Sequence, residues 1–337
     1  MKYFPNLSTA FRLLIGLSLG FSLLAWLTTD LNYTEFVDFF DLSIQSIALS
    51  LTCVVISGVI SAYRWQFLFP DPGKPKFRRL FMVENTGIGL NSIAPIRILA
   101  EPVQFSYIAI KDKYDGASVI ASLIIGRMID LTVTLTTIGL GLLLSPTPTK
   151  LDDGFWTGIG ILSVATLTVI AISLSLDRWK WIQKFPVLIN YVNVWKKLFY
   201  RPKRLIIILL LTNIKWILLG ISAWIISEQM NLEIHIIQLY VMILVINIVG
   251  SLLPGLPSGL GPFEFATTVV LGLYGISKEA SFAFGLVTHG IFFAPPIIIA
   301  IANILIYGPP LLKWGNIYKK TPPDSLKNTK VDNSPLN

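Results

Sequence analysis

The amino-acid sequence predicts an all-α polytopic membrane protein with about 7–8 transmembrane helices and two broken or re-entrant segments. Three observations carry that prediction. Of 337 residues, 53% are hydrophobic and only 14% charged, whereas a soluble domain carries about a quarter charged residues because it must face water. The charges are also segregated, with long stretches holding none and short stretches holding many. Finally, seven apolar runs are each long enough to cross a bilayer, which takes about 20 residues.

Those runs are 11–28, 43–62, 117–144, 154–176, 205–227, 235–253 and 281–306. The first is long for a signal peptide and no small-x-small cleavage site follows, so a retained helix is expected. Residues 1–312 are expected to form a single transmembrane bundle. A polar tail, 313–337, follows it and is expected to be disordered and cytoplasmic.

Loop charge orients the bundle. Segment 29–42 holds Asp30, Glu35, Asp38 and Asp41 but neither Lys nor Arg. Segment 63–80 holds Arg64, Lys74, Lys76, Arg78 and Arg79, and the tail adds Lys313, Lys319, Lys320, Lys327 and Lys330. Loop 177–204 mixes basic residues with Trp179, Trp181, Phe185, Trp195, Phe199 and Tyr200. Basic residues near span ends stay on the cytoplasmic side, so these segments and both termini are expected inside the inner cell membrane. The basic-aromatic loop suits an interfacial helix pair on an anionic leaflet, or a docking site for a partner protein. The net charge of +8 is then loop charge and implies no nucleic-acid partner. With Cys53 the only cysteine and His235 and His289 the only histidines, an internal disulfide is impossible, and neither a metal nor a cofactor is expected.

Two apolar stretches, roughly 80–110 and 254–275, are too broken to be plain spans. The first contains Asn85 through Glu101 with Gly87, Gly89 and Pro95; the second contains Pro254, Pro257, Gly259, Gly261 and Pro262 before Glu264. Irregular backbone at membrane depth survives only when buried in protein or lining a wet cavity. New helices are expected near Pro95 and Pro262, where proline suits a first turn. Their free N–H groups and positive dipole ends would point into the bundle. Both segments are expected to enter from the cytoplasmic half; the alternative is a structural kink or a surface loop. Each glutamate is followed by a polar residue inside a span, Arg127 after 26 residues and His289 after 25. Paired broken helices in two halves are the pattern of transporter binding sites.

Glu84, Arg97, Glu101, Arg127, Asp130, Lys215, Glu264 and His289 lie in apolar surroundings. A charge at bilayer centre costs about 2.5–3.5 kcal/mol even on the lenient scale, so mutual pairing inside the bundle is expected. Arg127 with Asp130, and Arg97 with Glu101, have helical spacing for simple neutralisation. Alternatively, Arg97 and Arg127 face a cavity and hold a phosphate, with Glu101 and Glu264 balancing them or exchanging a proton. Lys215 is expected to snorkel toward the interface.

At these residues the sequence resembles a known family. The order Asn91-x3-Pro95-x-Arg97-x3-Glu101, Arg127-x2-Asp130 and Pro254-x4-Gly259-x-Gly261-x2-Glu264 resembles the flippase-like family named after the transmembrane region of lysylphosphatidylglycerol synthase. The resemblance covers about residues 10–310 and implies a bundle of about eight helices that moves lipid head groups between leaflets. It points to a stand-alone member, without the soluble synthase domain, acting on a lipid or polyprenyl-linked lipid. Candidate head-group residues on this resemblance are Asn91, Pro95, Arg97, Glu101, Arg127, Asp130, Gly259, Gly261, Glu264 and His289. Two departures remove positive charge. Ala100-Glu101-Pro102-Val103-Gln104 lacks the family's arginine, and His289 stands where a late span often has one.

Lipid translocation is therefore the leading expectation, with membrane lipids, anionic or polyprenyl-linked, as partners. A second is a non-transporting scaffold for a separate synthase or glycosyltransferase, using loop 177–204. A third is an intramembrane transferase, for which no HExxH, Asp-x-Asp or serine–histidine arrangement is found.

Overall fold

The computed structural model describes residues 7–69, 74–93, 99–144, 186–252 and 259–310, with Leu256 and scattered helical positions between 157 and 175. Its helices are α1 (Leu7–Thr28), α2 (Tyr33–Asp38), α3 (Ile44–Phe67), α4 (Phe77–Ile93) and α5 (Ala100–Phe105), which continues through a π-helical turn (Ser106–Lys111). They go on as α6 (Gly116–Leu144), α7 (Pro186–Tyr200), α8 (Pro202–Gln229), α9 (Ile236–Leu252), α10 (Pro262–Gly272) and α11 (Lys278–Tyr307). No strand occurs among the described residues. Helices α3, α6, α8 and α11 are long and apolar enough to cross a membrane, and α1 and α9 contain shorter apolar runs. The chain is an all-α, multi-pass membrane protein. The predicted tail and most of span 154–176 lie outside the described residues.

The distribution of side chains is that of a bundle in lipid. Leu14, Phe21, Leu210, Ile298 and Leu305 face outward, while Ser50, Thr212, Ser222, Thr267, Ser281 and Asn303 are wholly buried. Lipid offers polar groups no partners, so they turn inward: Thr212 and Thr267 donate to carbonyls of their own helices, and others bond across to a neighbour. Ser50 and Ser222 show this directly: each hydroxyl donates to the other's backbone carbonyl at 3.0 Å, tying α3 to α8.

The two broken segments are hairpins, and they enter from opposite faces. In the first, α4 runs in and α5 returns with its π turn. Asn91 Oδ1 accepts from the Leu99 N–H at 3.0 Å, joining the end of α4 to the start of α5. At the open end Arg79 donates twice to Asp112, at 2.7 and 2.9 Å, so both ends reach one level. That level is the basic face: Lys111 Nζ donates to the Tyr307 carbonyl at the end of α11, and Tyr107 donates to that of Gly308.

The second hairpin is α9 and α10. Its ends lie at the acidic face, where Lys278 Nζ donates to the carbonyls of Trp26 and Thr29 and Asn32 N–H donates to Glu279. Helix α10 has 11 residues, about 16 Å and half a hydrocarbon core. The expectation that both segments enter from one half, the cytoplasmic one, is thus corrected: the first opens on the basic face and the second on the acidic face. The reason is that α9, read as a complete span, ends beside the first turn of α10; a Cβ on Gly250 would meet Phe263 Cα at 3.4 Å. Between them Gly259 (φ +76°) and Gly261 (φ +92°) take left-handed backbone, and a Cβ on Gly261 would sit 2.6 Å from the Gly20 carbonyl. Only glycine fits there.

Helix α4 packs antiparallel on α11. Asn303 donates to Thr86 Oγ1 at 2.8 Å, and a Cβ on Gly89 would come 2.4 Å from the Pro296 carbonyl and 2.8 Å from Ala300 Cβ. Gly89→Ala is expected to lower stability by about 1–3 kcal/mol through overpacking. Gly139→Ala, with nothing within 4 Å of its Cβ, should instead gain the helix former's advantage, about 0.5–1 kcal/mol. Thermal unfolding in detergent checks the opposite signs; a Gly89→Ala protein as stable as the parent would refute the close packing.

Loop 177–204 is partly helix α7. Its Tyr191, Val192, Trp195 and Leu198 are buried, and Tyr191 donates to Met128 Sδ of α6 at 2.8 Å. Trp195 thus packs into protein rather than the interface, while Phe199 and Tyr200 remain exposed.

Candidate functional site

A cavity of about 270 Å³ opens between α3, α4, α5, α6, α8, α9 and α11. Its polar wall holds Arg64, Glu84, Asp130 and Lys215. Asp130 and Lys215 each lie near the centre of their 29- and 28-residue helices, about 20 Å from the basic ends. This is membrane mid-depth.

Asp130 is the hub. Arg64 grips it with two donors, Nη1 at 2.8 Å from Oδ1 and Nη2 at 3.0 Å from Oδ2, and Lys215 Nζ lies 2.5 Å from Oδ1. A bidentate guanidinium fixes the carboxylate's plane as well as its charge. Lys215 also lies 4.6 Å over the Trp216 ring, a favourable place for a desolvated cation. Glu84, across the cavity on α4, accepts from Ser61 at 2.6 Å and balances the second cation. The cluster is thus two cations against two carboxylates, the arrangement that makes buried charge tolerable.

At the edge, Arg127 reaches back to Glu101 with Nε and Nη2 both 2.7 Å from Oε1, joining α6 to α5. A separate buried pair stands at the start of α10. Glu264 is wholly buried; its Oε2 accepts the Gly261 N–H at 2.8 Å and its Oε1 lies 2.6 Å from His289 Nδ1. The positive end of α10 is therefore occupied by the protein's own carboxylate, not held open for an anion. The His289 ring sits 4.6 Å from that of Phe293, which also lines the cavity. Among the described residues no group of three His, Cys, Asp or Glu side chains is placed to hold a metal.

The candidate residues thus fall into distinct places. Asp130 and Arg127 line the cavity, with Glu101 behind Arg127. Glu264 and His289 pair with each other, and Gly259 and Gly261 shape the backbone before them. Asn91 closes the first hairpin. Pro95 and Arg97 lie outside the described residues. Three expectations are corrected. Arg127 turns to Glu101 rather than Asp130, because Asp130 is already held from two other helices. Lys215 does not snorkel; its helix places it too deep. Arg64 is no loop residue but sits 5% exposed in α3. Its signal was present in the sequence: Ser50, Ser57, Ser61 and Arg64 recur at intervals of 7, 4 and 3 residues, one polar stripe on an apolar helix.

Residues 13–300, from α1 into α11, match the family described as the lysylphosphatidylglycerol synthase TM region. No curated protein matches the chain. The cavity charges are borne by that matched region, and the chain belongs to the lysylphosphatidylglycerol synthase transmembrane-region family.

Proposed function

We propose that this protein translocates a lipid across the cytoplasmic membrane without making or breaking a covalent bond. The supporting observation is the charge-lined cavity at mid-depth. A lipid crossing between leaflets must take its polar head through the hydrocarbon core, where unsatisfied polar groups cost several kcal/mol each. Arg64, Glu84, Asp130 and Lys215 offer a head group partners there, and the acyl chains can stay in lipid. The opposed hairpins suit such a task, because each can rock against the crossing helices without dragging a loop through the membrane. On this reading the basic face, with both termini, is cytoplasmic.

The test is exchange in reconstituted vesicles. Acyl-labelled fluorescent lipids are placed in both leaflets and the outer leaflet is bleached with dithionite. Protein is expected to raise the exchange rate of at least one of a panel of phospholipids, glycolipids and polyprenyl lipids by about tenfold or more. Asp130→Ala protein, matched for folded amount, should lose that gain. Exchange no faster than in protein-free vesicles for every lipid of the panel overturns the proposal.

A further inference from the structure

Resting on that reading, we infer that the cavity selects an uncharged, hydroxyl-bearing head group, a glycosyl unit, over an anionic phosphate. Three buried polar atoms of its lining residues have no hydrogen-bond partner among the described residues: Arg64 Nε, Glu84 Oε2 and Trp216 Nε1. Arg64 and Glu84 are 5% and 8% exposed, so water does not freely serve them. Buried polar groups are nearly always paired, and three orphans around one cavity mark places for a ligand's atoms.

Their chemistry defines that ligand. Arg64 Nε and Trp216 Nε1 only donate, and an ionised Glu84 only accepts. The occupant must accept from two groups and donate to the third. An anionic phosphate accepts, but a diester has no proton to give Glu84, and a diester or a monoester such as phosphatidate brings a negative charge to face that carboxylate. An ammonium group donates but cannot accept from Arg64 or Trp216. A hydroxyl does both, and a ring carrying several hydroxyls reaches all three walls.

Charge supports the same choice. Among the described residues Arg64 and Lys215 are met by Asp130 and Glu84, and Arg127 by Glu101, so each of these three cations already has a carboxylate to face. The side-chain amides of Asn85 and Gln104 and the indoles of Trp65 and Trp216 complete the wall. The volume, about 270 Å³, is near the small end of ligand pockets, about 300–1,000 Å³, which suits one head group rather than a whole lipid.

The test separates binding from movement. Full-length protein in a sugar-free detergent is heated with glucosyl-diacylglycerol, free methyl glucoside or phosphatidate, and the two lipids are run in the vesicle assay. Glucosyl-diacylglycerol is expected to raise Tm by about 2 °C or more and to exchange about tenfold faster than phosphatidate, which should do neither. Glu84→Gln should narrow that selectivity toward phosphatidate, since it removes the opposing charge. Phosphatidate stabilising the parent protein as well as the glycolipid, no sugar probe stabilising it at all, or unchanged selectivity in Glu84→Gln would each overturn the inference. Glycolipid that binds but does not exchange would leave it standing and sink the translocation reading. So would methyl glucoside binding as tightly as the glycolipid, which would make the ligand a solute.

Discussion

Asp130→Asn is expected to destabilise the protein by about 3–5 kcal/mol, the range for removing one partner of a buried ion pair. Asp130 is shared by Arg64 and Lys215, so its loss strands two cations at mid-depth with Glu84, among the described residues, as their one remaining counter-charge. An asparagine still accepts one hydrogen bond, and the loss is therefore mainly electrostatic. Charge counting then orders the variants. Lys215→Met removes one cation while Arg64 keeps its bidentate carboxylate, and should be milder. Combined with Asp130→Asn it leaves Arg64 facing Glu84, a balanced pair, so the double variant should be more stable than Asp130→Asn alone. Contacting groups couple by about 0.5–3 kcal/mol, within reach of thermal unfolding in detergent. A double variant no more stable than Asp130→Asn would show that the three side chains do not share one charge balance.

That cluster also shows where the sequence was legible. Apolar runs of about 20 residues place the crossing helices because lipid allows few other solutions. Runs 43–62, 117–144, 205–227 and 281–306 all lie within three residues of helix ends or inside the helices observed. The same constraint marked both hairpins through their glycines and prolines. What it did not supply was pairing. Helical spacing puts Arg127 and Asp130 on one face, yet a charge in the bundle chooses among every helix it touches. Asp130 is met by α3 and α8, whose residues 64 and 215 are remote from it in sequence. Arg64 was hidden by a different ambiguity. It lies four residues before Leu68, at the basic end of α3, so charge counting assigned it to the loop. Its guanidinium instead turns inward along the serine stripe. The direction of the second hairpin was unreadable for a related reason, since α9 carries no charge and its 17 residues are apolar apart from Gln238, Asn247 and Ser251, so its length and composition read as a crossing span.

The second large effect is expected at Glu264. Both of its oxygens are engaged by protein: one caps the Gly261 N–H at the start of α10 and the other meets His289 Nδ1. Glu264→Ala leaves those two groups without partners in a dry interior, at about 1–3 kcal/mol each. Glu264→Gln keeps an oxygen and should cost less than half as much. His289→Phe removes one of the stranded groups and can keep the ring packing against Phe263 and Phe293. The pair Glu264→Ala with His289→Phe should therefore unfold at a higher temperature than Glu264→Ala alone, which simple addition of two damaging changes would not give. The vesicle assay separates structure from transport at the same residue. If Glu264 acts only by holding the hairpin, Glu264→Gln protein matched for folded amount should exchange lipid at close to the parent rate. A variant that folds like the parent but no longer exchanges would instead place this carboxylate in the translocation step, because its packing would be intact and only its charge gone.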